Sequence, residues 1–572
     1  MQIQSTIAAS SLAFLLPLAA NAATYYVATT GNDSNPGTEA QPFATIARGQ
    51  MAAAAGDTVL IRGGEYVYTG GSSAVGVLFN KSGAQDRRIN YWAYPGEKPI
   101  FDFFGMNAQA RLYGFRVTGS WLHFRGLELR GVQQIVTTVN ESWCIRVEGG
   151  SNNVFETLDL HHNEGPGLFI ASGGNNLVLN VDSHHNWDPD RGGGNSDGFG
   201  CHSTSAGNLF RGCRAFENSD DGFDFINAPA VCTVEQSWAF RNGWQPGTNT
   251  AAGNGAGIKA GGFGLDTSSF PANVPRHVVR FNVAFSNRSQ GFYANHHPGG
   301  IDWTHNTAFN NPRNFDMLAD VGAADHRLRN NLAAGTGTAL GNATQSEIDD
   351  DSNSWTLGVM VSNADFASVN AMEASAPRKA DGSLPDMSFL HLAAGSDLID
   401  KGANLGSPFV GAAPDLGAFE FGAPSGGASG GGSGGMAGSG GAPSSGGMAG
   451  SGGVAGSASG SAGAAGSATS GAAGQSGMTG AGGAGASAGS GAPSAGSTQA
   501  AGGPGLGGSG GAGAPSSAGV SGSAGADSGD EGGCACRAAP SSGSPNAIWI
   551  AGVAAAALWR RRRAARSLSA RG

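Results

Sequence analysis

Charge, cysteine and long apolar runs are all scarce in this 572-residue chain. Charged residues make up 13%, and the net charge is -10. The tail after Gly422 holds 7 Arg and 3 acidic residues, so the remainder carries -14. That balance leaves no general nucleic-acid face, which would have to be basic. An acidic substrate would need local cations or a metal to hold it. Of 6 cysteines, Cys144, Cys201, Cys213 and Cys232 precede the tail. With no Cys-x-x-Cys pair and no dense spacing, a disulfide framework is excluded. The four read as buried small residues or one bridge. The apolar stretch 547–559 is shorter than the ~20 residues a membrane span needs.

Glycine is the reverse case, at 99 residues, with most of the excess after Gly422. What remains is roughly 400 residues, enough to bury a large core. Residues 1–23 read as a signal peptide. An apolar run at 12–20 leads to the small-residue site Ala20-Asn21-Ala22, although the usual basic residues are missing. Residues 24–28 and 58–62 read as strands. Between them, 43–55 reads as a short apolar helix, which makes sense as a lid on the open end of a solenoid.

Six eleven-residue units then align: 153–163, 176–186, 208–218, 232–242, 277–287 and 301–311. Their starts lie 23, 32, 24, 45 and 24 apart, which predicts a coil of 24 with two insertions. The third position is apolar throughout. The ninth is His161, His184, Phe216, Phe240, Phe285 and Phe309, and the last is always Asn. One residue type per coil implies strands stacked in register, with rings filling the interior and Asn amides bonded up the stack. The expectation is an all-β, right-handed parallel β-helix over 24–422. His161 and His184 are then stacked ring residues rather than metal ligands.

After each ladder Asn the chain turns into the next face. With the insertion 187–194 set aside, Asp197-Gly-Phe falls in phase with Asp221-Gly-Phe-Asp224 and with Ala256-Gly-Ile-Lys259. Asp220 sits beside Asp221. Four carboxylates on coils about 4.8 Å apart repel unless a cation neutralises them. Oxygen donors from several strands suit Ca²⁺. Lys259 lies in the same field, and a base must be neutral to take a proton. The competing reading is that these are solvated turn aspartates, each followed by Gly for backbone reasons.

The motifs Asn195-Ser-Asp-Gly-Phe199, Ser219-Asp-Asp-Gly-Phe-Asp224, Gly257-Ile-Lys-Ala260 and Asn295-His-His-Pro-Gly-Gly300 resemble polysaccharide lyase family 9. Its members are pectate lyases and exopolygalacturonate lyases, and the resemblance covers about residues 24–421. It implies a calcium site at Asp197, Asp220, Asp221 and Asp224, with Lys259 as the catalytic base. It also implies β-elimination on an acidic plant polysaccharide, pectate or polygalacturonate, to a 4,5-unsaturated product. Two alternatives stand beside it. One is a polygalacturonase-type hydrolase, although no Gly-His-Gly motif occurs. The other is a non-catalytic polysaccharide-binding solenoid.

Residues 423–533 are almost wholly Gly, Ala, Ser and Pro, the composition of a flexible linker. Residues 534–572 follow, with Cys534-Ala-Cys536, the apolar stretch and Arg560 to Arg563. That order resembles bacterial tripartite sorting tails, and a plain tail anchor is the alternative. Either reading tethers a secreted catalytic domain at the cell surface, and the expected state of that domain is a monomer.

Overall fold

The computed structural model describes residues 22–423, apart from 72, 137–140, 265, 319–324 and 344–345. The signal peptide (all but its last two residues), the linker from 424 onward and the sorting segment 534–572 lie outside the described residues. Among the described residues, the strands form one twelve-stranded and two ten-stranded parallel sheets. Each coil of chain gives one strand to each sheet and pairs with the coils before and after it. The result is a parallel β-helix, as the repeat predicts.

Each eleven-residue unit is two strands around a corner. Val154–Glu156 runs in the first sheet and Asp159–His161 in the third. The corner is the fifth residue, left-handed in Thr157, Asn180, Gln236, Phe281 and His305 at φ 51 to 57. The tenth residue, from His162 to Asn310, is left-handed at φ 54 to 56 in all six units. That backbone costs a non-glycine residue energy, so the stacked coils must enforce it.

The third-position column pairs in register, Phe155 to Val178 to Phe210 to Val234, and all four side chains lie in the solenoid core. The ladder is also present. The Nδ2 groups of Asn163, Asn186, Asn218, Asn242 and Asn287 each donate to the next Asn Oδ1 at 2.9–3.1 Å. All of these Asn side chains are buried.

One expectation is corrected. The ninth-position rings do stack, with centroids 4.6–5.1 Å apart from His161 through Phe285. They do not fill the interior. Successive side chains on a strand face opposite ways, and the eighth position, Ala215, Ala239, Ala284 and Ala308, already faces the core. The rings therefore lie on the outer face of the third sheet. There Phe240, Phe285 and Phe309 form a second apolar cluster with Phe366, Phe389, Leu398 and Leu416 from the C-terminal segment.

The lid is the helix Ile46–Ala52, shorter than the predicted stretch, with Thr45 as its N-cap. Gly49 lets it lie close to the end strands, because a Cβ there would sit 2.8 Å from Val59. Cys201 and Cys232 form a disulfide between the second and first sheets, and Cys144 and Cys213 are free and buried.

Candidate active site

The second sheet carries the site. Register pairs Phe199 with Phe223 and Ile258, facing the core, and Gly200 with Asp224 and Lys259, facing out. One residue type is required beside them. A Cβ on Gly198, Gly222 or Gly257 would meet the next coil's carbonyl at 2.5–2.6 Å and a ladder Asn Nδ2 at 2.7–3.0 Å. The Gly after each Asp is thus a packing requirement. The aspartates themselves are not solvated turn residues: Asp197, Asp220, Asp221 and Asp224 are all buried.

Asp197, Asp221 and Asp224 each bring a carboxylate oxygen to within 4.8 Å of the other two. Lys259 Nζ donates to Asp221 Oδ2 at 3.1 Å and to Asp224 Oδ2 at 3.3 Å. Burial, reinforced by Asp220, Asp224 and Asp221, raises the Asp197 carboxyl well above its usual range. Burial likewise pushes Asp221 up to about 7, against the pull of Lys259. Burial alone would lower the Lys259 ammonium, but the surrounding carboxylates outweigh it and hold the group well above its ordinary value. In this state Lys259 is the cation that offsets the cluster.

Asp220 stands slightly apart. Its Oδ2 accepts the Asn195 N–H and its Oδ1 the Asn254 N–H, both at 2.6 Å. These donors end the two insertions, so Asp220 ties both to the solenoid. The insertions wall a cleft of about 460 Å³, with Arg191 and Gly194 on one side and Ala252 and Asn254 on the other. Asp197, Asp220, Asp224 and Lys259 line the cleft. Hard, buried oxygen donors gathered from two adjacent coils fit a calcium ion. One backbone N–H on each Asp220 oxygen leaves a further lone pair on each.

A family profile described as Pel9A-like, right handed beta helix region, matches residues 25–331. Pectate lyase L of Dickeya dadantii (strain 3937) is 37% identical over 405 residues, covering 69% of this chain and 90% of that protein. The solved structure of pectate lyase Pel9A superposes with a TM-score of 0.61 at 37% identity, covering 70% of this chain and 96% of that one. A rhamnogalacturonan lyase structure gives 0.60 at 36% identity, covering 65% and 96%.

The chain belongs to polysaccharide lyase family 9. As a family 9 lyase it is an enzyme with a right-handed parallel β-helix, and its cleft is the natural place for the chemistry.

Some residues of this family 9 site were not legible from the motifs. His202 lines the cleft, with its Nε2 buried and lacking a hydrogen-bond partner among the described residues. Burial lowers its pKa to about 4, so the ring is neutral. Arg288 also lines the cleft, and its guanidinium donates to the Gly253 and Asn254 carbonyls. Reading the outward column of the second sheet, two residues beyond each Gly, would have directed attention to Phe169 and the coils before it.

The histidine pairs outside the cleft are structural. His161 and His184 are held by Glu128 at 3.1 Å and Asp159 at 2.9 Å, and Lys98 and Arg130 already offset those carboxylates. His297 donates from Nε2 to the Pro275 carbonyl and accepts the Gly262 N–H at Nδ1, which marks a neutral, packed ring.

Proposed function

We propose that the chain is a calcium-dependent pectate lyase that cleaves (1→4)-α-D-galacturonan by β-elimination. The carrying observation is Lys259 placed between Asp221 and Asp224 in a walled cleft, a lone amine set against an acidic cluster. Calcium on Asp197, Asp220, Asp221 and Asp224 would bind the uronate carboxylate and make the adjacent C5 proton more acidic. Once the carboxylates are neutralised, nothing holds the proton on Lys259, and burial then favours the free amine. Lys259 takes the C5 proton. The electron pair forms the C4–C5 double bond as the C4–O bond breaks. The walls 187–194 and 243–256 orient the chain and limit water.

Export, with a tether through 423–572, is part of the same reading. The Cys201–Cys232 disulfide supports it, since such bonds persist in oxidising compartments.

The test is ultraviolet absorbance of the conjugated product on polygalacturonate, with calcium, with chelator and with Lys259→Ala. Absorbance that needs both calcium and Lys259 is expected. Reducing ends without absorbance would make the enzyme a hydrolase. Absorbance on rhamnogalacturonan alone would move the substrate, in line with the second solved structure.

A further inference from the structure

The outward column of the second sheet does not stop at the cleft. Register runs Arg116, Arg146, Phe169, Gly200, Asp224, Lys259, one residue per coil. Their neighbours Phe115, Ile145, Leu168, Phe199, Phe223 and Ile258 all face the core. Arg146 therefore lies three coils from Asp224, roughly 14 Å at ~4.8 Å per coil.

The contacts are continuous. The Arg146 guanidinium sits 3.7 Å over the Trp143 ring and 5.1 Å from Phe169. Phe169 packs edge-on against His202 at 4.5 Å, and both rings line the cleft. Gly200 makes room for the ring, since a Cβ there would meet it at 2.4 Å.

Charge along this path is asymmetric. Arg116 and Arg146 share a single partner, Glu148, through Nε contacts at 2.7 and 2.6 Å. One carboxylate between two guanidinium groups leaves one positive charge over. Both terminal nitrogens of Arg146 lack a protein acceptor among the described residues. The Arg116 side chain is 38% exposed and that of Arg146 18%. Past Lys259 the column meets Tyr293 and the buried Asp316, to which Arg313 is already paired. A polyanion leaving the cleft over Phe169 passes Glu141 at the rim and then reaches this spare cation, whereas Arg313 in the other direction is paired.

We propose that Arg116 and Arg146 form an anion-binding stripe. It holds carboxylates of a uronide chain that crosses Phe169 from the cleft toward the N-terminal coils. This rests on the uronide-lyase reading above.

The experiment is calorimetric binding of trimeric and hexameric galacturonate, with calcium, to Lys259→Ala protein, which does not turn over. The hexamer should bind more tightly than the trimer, and raising salt should narrow the gap. Adding Arg116→Gln and Arg146→Gln should weaken hexamer binding about 5–20-fold and leave the trimer nearly unchanged. Arg116→Lys with Arg146→Lys should recover part of the loss, because charge is kept and the guanidinium fork is not. Arg327→Gln, which removes an exposed charge from the first sheet, should change neither.

A hexamer preference and salt dependence that survive the Gln pair, in protein with an unchanged melting temperature, would overturn the stripe. If wild-type enzyme eliminates polygalacturonate while that preference survives, only the stripe is lost. If wild-type enzyme neither binds nor cleaves any galacturonate, the substrate reading falls and the stripe falls with it.

Discussion

Removing Lys259 leaves four buried carboxylates facing one another without the cation that donates to two of them. Lys259→Ala should cost elimination activity about 10²–10⁴-fold, the range for a lost general base. It should also cost about 3–5 kcal/mol of stability in chelator, the price of an unpaired buried charge. Calcium should then raise the melting temperature of the variant more than that of wild type. A calcium shift no larger than in wild type would count against the carboxylates as ligands. Asp188 makes a second prediction at this scale. It is buried in the first insertion, with Oδ2 unpartnered among the described residues, and burial pushes its carboxyl up to about 7. A carboxyl whose folded value is raised contributes stability that is full below its unfolded value of ~3.9 and is lost as pH rises through about 7. Thermal melts of Asp188→Asn should therefore match wild type near pH 4 and exceed it by a few °C at pH 8. The aspartates and Lys259 were legible in sequence because, with the insertions set aside, they fall in one phase of the repeat after the ladder Asn. The split role of Asp220 was not, because its partners are backbone N–H groups of inserted loops that share no period with the repeat.

A strand pair here is specified by three columns: an apolar third residue, a small eighth and an Asn at the end. The ladder gives the most direct test. Asn287 accepts from Asn242, donates to Asn311 and donates again to the Ala239 carbonyl, all buried. Asn287→Ala should cost about 1–3 kcal/mol by leaving those groups unsatisfied, read as a lower urea midpoint with an unchanged slope. Asn287→Asp keeps the acceptor and should cost less only at low pH, where the carboxyl can also donate. The outward direction of the ring column could have been deduced from alternation alone. It was obscured because an outer face coated with Phe normally signals an interior. Only a distant part of the chain, 363–420, makes it one.

That distant segment matters to the molecule as a whole. It lies against the third sheet while the cleft opens on the second, so its role is coverage rather than chemistry. Deleting 357–421 should expose Phe240, Phe285 and Phe309 together. The truncated protein is expected to aggregate on expression, whereas a chain ended at Ala423 should stay soluble and active. Gel filtration of the two separates these outcomes. The same stacking sets how the molecule responds to a load. Each coil pairs with the coils beside it, and the segment 363–420 lies across several of them, so a pull on the C-terminal end must strip that segment before it loads one ladder step at a time. Stretched between its ends, the protein should yield in a sawtooth, each 24-residue coil adding about 80 Å of contour. The step that spans Cys201–Cys232 should be shortened unless the disulfide is reduced. Loaded from its C-terminal end, the solenoid would open its last coils before the load reached the steps that carry the cleft, and the N-terminal coils would yield last.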